Sequence, residues 1–99
     1  MPNYKLTRKS INDLSDIWNY TFDNWSENQA DSYYNKILSD CQAIADNPEL
    51  GKNYEKIIES LFGYKTGKHI IFYRRITNNS VEITRILHSQ MDLRNRIIE

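Results

Sequence analysis

Arg74 and Arg85 stand in HIIFYRRIT and VEITRILH where strand alternation calls for apolar side chains. A guanidinium on an apolar face is costly unless a carboxylate or a ligand meets it. Two outcomes satisfy that requirement. Either the pair lies on a partly open binding surface with Phe72 and Ile83 between them, or each ties to a carboxylate such as Asp92 or Glu99 and fixes the last helix to the sheet. Lys65, Lys68 and Arg75 extend the basic cluster and are interleaved with Tyr64, Phe72 and Tyr73. Cations beside stacking faces can hold RNA. A ribonuclease without metal needs a group to take the 2′-hydroxyl proton and cations to stabilise the phosphorane, which lysine, arginine and tyrosine can supply. His69 and His88 fall opposite each other in the same strand register, as an acid/base couple would. Their place at the strand ends, away from any Ser, Cys or carboxylate cluster in sequence, favours a structural role. Cys41, on an apolar helical stripe, reads as a buried inert thiol.

The elements that must position these groups follow from periodicity. His69 to Ile76 and Val81 to Leu87 are strands rich in β-branched and aromatic residues. Asn78-Asn79 between them tolerates the positive φ of a tight hairpin turn. That turn sets a register in which Ile76 faces Val81, Arg74 faces Ile83, Phe72 faces Arg85 and Ile70 faces Leu87, all on one side of the sheet. On the other side, Arg75 opposite Glu82 reads as a cross-strand ion pair. Leu61 to Lys65 is a third strand, turned into the His69 strand by Thr66-Gly67-Lys68. Near the N-terminus, Asn3 to Thr7 alternates as a short strand. Ser10 with Asp13 has capping-box spacing for a helix whose stripe is Ile11, Leu14, Trp18, Phe22 and Trp25. Ser26 with Gln29 repeats the signal for a second helix, striped by Ala30, Tyr33, Tyr34, Ile37, Cys41 and Ile44 and ended at Asn47-Pro48. Glu49 to Ser60 is a polar crossover with a helical turn at Tyr54 to Ile58. Met91 to Ile98 closes the chain as a short helix with Ser89 as its cap. The order β-α-α-β-β-β-α is an α+β fold: an antiparallel sheet with a helical hairpin packed on one face and a short C-terminal helix.

Bulk composition narrows the function. Ninety-nine residues make one domain, residues 1–99. Lys+Arg and Asp+Glu both number 13, so the formal charge is zero, which argues against broad phosphate-driven nucleic-acid binding, and no direct sequence-specific nucleic-acid contact is expected. A single cysteine cannot form an intrachain disulfide and suits a reducing cytoplasm. The two histidines lack metal-ligand spacing, so no metal or other cofactor is expected. MPNYKLTRKS has no apolar secretory segment and no run is long enough to span a membrane.

HIIFYRR, VEITRILHSQMD and DNPELGKNYEKI, with DLSDIWNYTFDNWSENQADSYYNKI upstream, resemble the ParE branch of the RelE/ParE toxins of type II toxin–antitoxin systems. The resemblance covers nearly the whole chain. It implies a toxin that acts by binding, with DNA gyrase as the target and a cognate antitoxin as the silencing partner. It also offers an alternative, the ribosome-dependent mRNA interferases of the RelE type, in which strand arginines, a lysine and a C-terminal tyrosine carry cleavage. Arg74 and Arg85 sit at comparable strand positions, but no tyrosine follows His88-Ser89-Gln90-Met91-Asp92. The expected activity is therefore non-enzymatic, with no catalytic residue. Ile70, Phe72, Arg74, Ile83, Arg85, His88 and Met91 are the expected partner- or target-binding residues.

Overall fold

Thr7, one turn before Ser10, starts the first helix of the computed structural model, which describes residues 2–98. The Thr7 hydroxyl accepts from the Ser10 amide at 3.1 Å, and the Ser10 hydroxyl donates back to the Thr7 carbonyl at 2.8 Å. Ser10 is thus a buried first-turn residue, not the cap, and Asp13 is released for another task. Strand β1 (Asn3–Leu6) leads into helix α1 (Arg8–Asn24). Helix α2 (Glu27–Asp46) follows after a link so short that the two helices turn back on each other. Ser26 caps α2 by accepting from Gln29, and Asn47 ends it, as the local signals require.

Strands β2 (Lys52–Asn53), β3 (Phe62–Thr66), β4 (His69–Thr77) and β5 (Ser80–His88) precede helix α3 (Leu93–Ile98). The sheet order is β1-β5-β4-β3-β2, so the fold is the expected α+β arrangement with one more strand. β2 lies in the stretch read as a polar crossover; two residues are too few to carry an alternation signal. The pairing of β1 with β5 is parallel, whereas β2 to β5 pair antiparallel in succession. At the C-terminus the helix starts at Leu93, and Asp92, not Ser89, accepts from the Asn95 amide.

The β4–β5 register departs from simple alternation in its middle. His69 faces His88, Ile70 faces Leu87 and Phe72 faces Arg85, but Tyr73 then faces Ile83, Arg74 faces Glu82 and Arg75 faces Val81, before Thr77 returns to Ser80. Thr84 is the extra residue in β5 and Ile76 the extra residue in β4. One bulge in each strand cancels the other, so both ends keep the expected pairing while the centre slips by one residue. A slip of one turns side chains to the opposite face. Val81 and Ile83 therefore leave the Phe72 side and join Ile71, Tyr73 and Ile86 against Leu14, Ile37, Cys41 and Ile44 of the helices.

The second face is not open. Ile70, Phe72 and Leu87 lie beneath Tyr54, Leu61 and the α3 residues Leu93 and Ile97. Tyr54 meets Phe72 edge-on with ring centroids 5.1 Å apart. The Tyr73 hydroxyl fastens the crossover by donating to the Pro48 carbonyl at 2.7 Å and accepting from the Gly51 amide at 2.9 Å. A Cβ on Gly51 would lie 2.5 Å from that hydroxyl, so glycine is required there by space.

Candidate functional site

β1 covers the outer edge of β5 only as far as Ile83. Beyond it, side chains finish the edge: the Thr7 hydroxyl donates to the Thr84 carbonyl and Asp13 Oδ2 accepts from the Ile86 amide at 2.9 Å. The same carboxylate holds Arg85 in a two-pronged contact, Nε to Oδ2 at 2.9 Å and Nη2 to Oδ1 at 3.1 Å. Arg85 Nη1 donates to the Arg96 carbonyl of α3 at 2.8 Å. Arg85 is therefore a clasp between α1, β5 and α3. Its carboxylate is Asp13, not Asp92; Glu99 lies outside the described residues. Arg74 pairs with Glu82 across the strands, in place of the expected Arg75–Glu82 pair, and both are solvent-accessible at the far end of the hairpin.

The seven residues expected to meet a partner do not form one surface. Ile83 is fully buried under the helices, Phe72 is fully buried under α3 and the crossover, and Ile70 packs beside Phe72. With Phe72 and Tyr73 both enclosed, the expected interleaving of cations with stacking rings is not assembled. His88 and Met91 are the two that share a concavity, and they share it with residues from α1 and α2.

That concavity is an open groove of about 990 Å³. Ile17 and Tyr20 of α1, Trp25 at the hairpin tip, Tyr33 of α2, His69 at the start of β4, and Met91 after β5 give it an apolar lining. Lys36, Lys68 and Asp16 place charge along it. A smaller hollow of about 370 Å³ adjoins it and shares Asp16, Ile17, His69, His88 and Met91, with the Arg85–Asp13 clasp in its wall.

The groove floor is a fixed hydrogen-bonded platform. The Tyr33 hydroxyl lies 2.6 Å from His69 Nδ1 and accepts from the Lys68 amide at 3.2 Å. Gly67 makes this approach possible: its φ is +55°, and a Cβ there would lie 2.8 Å from the Tyr33 ring. His69 and His88 stand edge to face with centroids 5.3 Å apart, in the register expected of them. Burial, with the neighbouring His88 adding to it and Asp13 opposing it, pulls the His69 pKa down to about 4. Burial also pushes the Tyr33 hydroxyl above its ordinary value, although the Lys68 backbone contact opposes this. At neutral pH the floor is therefore an uncharged imidazole hydrogen-bonded to an uncharged phenol, which suits it to holding a partner by shape and hydrogen bonding. Among the described residues no group of three or more His, Cys, Asp or Glu side chains could hold a metal ion.

Tyr20, Trp25 and Tyr33 were not among the expected binding residues. Trp25 and Tyr33 read as core on helical spacing, and the exposure of Tyr20 carried no pattern. Asp13 had a signal, its capping-box spacing, that pointed to a different role.

The chain is similar to known proteins along almost its full length. The family model for the ParE toxin of the type II toxin–antitoxin system, parDE, matches residues 4–93. Toxin ParE1 of Caulobacter vibrioides is 34% identical over 94 residues, covering 95% of this chain and 96% of that protein. Toxin ParE1 of Mycobacterium tuberculosis is 29% identical over 90 residues, covering 91% and 92%. Among solved structures, the chromosomal ParDE system of P. aeruginosa superposes with a TM-score of 0.73 at 17% identity over 89% of this chain and 96% of that one. The RelBE2 toxin–antitoxin complex of Mycobacterium tuberculosis gives 0.66 at 16% identity, covering 89% and 99%. At those identities the structural likeness speaks for the fold.

Proposed function

The chain belongs to the ParE toxin family of type II toxin–antitoxin systems, and on that premise we propose that it acts in the cytoplasm by binding, with DNA gyrase as its target and a cognate antitoxin laid along the groove as its silencer. The observation that carries the partner half of this reading is the groove itself. Exposed Tyr20, Trp25 and Met91 line it beside Lys36 and Lys68. Apolar sockets next to ammonium groups suit an acidic amphipathic segment that folds as it binds. Met91 and His88 are the contacts carried over from the sequence; Tyr20 and Trp25 join them. Arg74 is offered as a separate contact at the hairpin end. Ile70, Phe72 and Ile83 serve this reading by packing alone.

The gyrase half rests on the family resemblance. Against cleavage of mRNA stands the state of Arg85: both carboxylate oxygens of Asp13 hold it, so it has little freedom to stabilise a phosphorane. Titration calorimetry with the cognate antitoxin proposed above tests the groove. Tyr20→Ala and Met91→Asp are expected to weaken binding by about 1–3 kcal/mol each, and unchanged affinity in both moves the interface elsewhere. Supercoiling by purified gyrase tests the target. Inhibition or a trapped cleavage complex supports it, and neither at a large molar excess removes gyrase. Intact mRNA on translating ribosomes is the matching expectation for the absence of nuclease activity.

A further inference from the structure

We propose that the outer flank of α1 is a self-association face on which a second copy of this chain docks helix to helix, antiparallel, about a two-fold axis between Ser15 and Trp18. This goes beyond the reading above and concerns a different surface. Helical spacing puts Ile11, Trp18 and Phe22 in one stripe, whereas the groove residues Asp16 and Tyr20 lie on the other side of the helix, and Trp25, just past the helix end, belongs to the groove. The stripe is left uncovered: Ile11 is 49% exposed and Phe22 46%. It is also pre-formed. The Trp18 and Phe22 rings are stacked at 5.2 Å, and Trp18 Nε1 donates to Asp31 of α2 at 2.9 Å, which fixes the indole.

Charge says what the flank fits. α1 has no acidic residue in its first turn and no basic residue in its last. Arg8 begins it and Asp23 nearly ends it, the reverse of what the helix dipole favours. Arg8 and Asp23 lie on the same side of the apolar stripe, and neither has an ion-pair partner among the described residues. An antiparallel copy brings the partner's Asp23 to Arg8 and the partner's Arg8 to Asp23, answering both ends at once. The same two-fold sets Ile11 against Phe22 and the small Ser15 against Trp18, the self-complementarity that a symmetric dimer demands. The two aromatics and the isoleucine leave on the order of 200 Å² exposed per copy. Doubled and given a polar rim, that stays below the size of stable interfaces, so the dimer leans on its charged ends and is weak and reversible, in the upper micromolar range.

Sedimentation equilibrium of the full chain between about 1 and 200 µM tests this. A reversible monomer–dimer equilibrium is expected, with Phe22→Glu weakening it at least about tenfold in a chain that keeps its cooperative urea transition, because Phe22 is half exposed and gives up only its stacking on Trp18. Arg8→Asp and Asp23→Arg should each weaken the dimer, and the double variant Arg8→Asp/Asp23→Arg should restore it. Rescue by that swap is what only an antiparallel pairing gives. A chain that stays monomeric at every concentration overturns the proposal, as does a dimer indifferent to Phe22→Glu or not rescued by the swap. If the chain is monomeric and Phe22→Glu instead abolishes binding of the cognate antitoxin, the dimer is overturned and the flank belongs to that partner. Loss of groove binding in Met91→Asp with an intact dimer, or the reverse, separates the two surfaces.

Discussion

Removing the Asp13 carboxylate should cost more stability than any other single polar change among the described residues. Arg85 and Asp13 side chains are only 13% and 12% exposed, so the pair is nearly out of water. Asp13→Ala deletes two charge-assisted bonds from Arg85 and the only acceptor seen for the Ile86 amide. Breaking a buried pair from one side costs about 3–5 kcal/mol, because the surviving charge stays desolvated. The Arg96 carbonyl remains as a partner for Arg85 and some solvent access persists, which places the expected loss at about 3 kcal/mol. For a domain of this size that corresponds to a fall of about 15 °C in Tm. Urea unfolding of Asp13→Ala, Arg85→Met and the double variant measures the coupling directly. We expect the double variant to be more stable than the sum of the singles requires, by at least about 1 kcal/mol. Additivity within experimental error, or a loss below about 1 kcal/mol for Asp13→Ala, would refute the assignment of Arg85 as a clasp.

Three further outcomes are expected. Gly51→Ala forces a methyl against the Tyr73 hydroxyl and should destabilise by about 1–3 kcal/mol, whereas Gly51→Ala combined with Tyr73→Phe should lose less than the two changes summed; urea midpoints decide it. Because the folded-state pKa of His69 is lowered to about 4, the unfolded state binds more protons between that value and the ordinary 6.5, so stability rises with pH across this window and is flat above it. Partial exposure reduces the contribution to about 1–2 kcal/mol, and His69→Gln should flatten the slope between pH 4.5 and 7 if His69 is its source. Cys41 is fully buried and its thiol is pushed up to about 12 by burial, with Asp40 adding to it, so maleimide should label the native protein only as fast as it unfolds.

What could be read from the sequence is what local chemistry decides. Ser26 caps α2 because the amide it serves is three residues away, and Asn47-Pro48 ends that helix for reasons equally near. The ends of the β4–β5 hairpin were legible because the turn sets the register there. Its centre was not, since Thr84 is β-branched and continues the strand pattern through the bulge that turns Arg85 away from Ile83. Arg85 was recognised as an anomaly that a carboxylate had to answer, but the answer came from 72 residues upstream. Nothing in the spacing of Asp13 distinguishes that task from capping.

The groove was illegible for a related reason. A surface groove is a relation between elements, and each of its walls looks ordinary alone. Tyr33 repeats at core spacing, and only the close approach of the Gly67 turn brings its hydroxyl to His69. The pair His69–His88 was placed correctly by register, yet its role depends on the neighbouring phenol, which the strand pattern does not contain. The Arg85 clasp links the two ends of the argument. By tying α1 to β5 and α3, it sets the α1 wall that carries Ile17 and Tyr20 against the floor that carries His69 and His88. A charged group read as a binding residue thus bears on binding at one remove. An Asp13→Ala chain that still folds should hold a groove partner less tightly, even though Asp13 itself need not touch that partner.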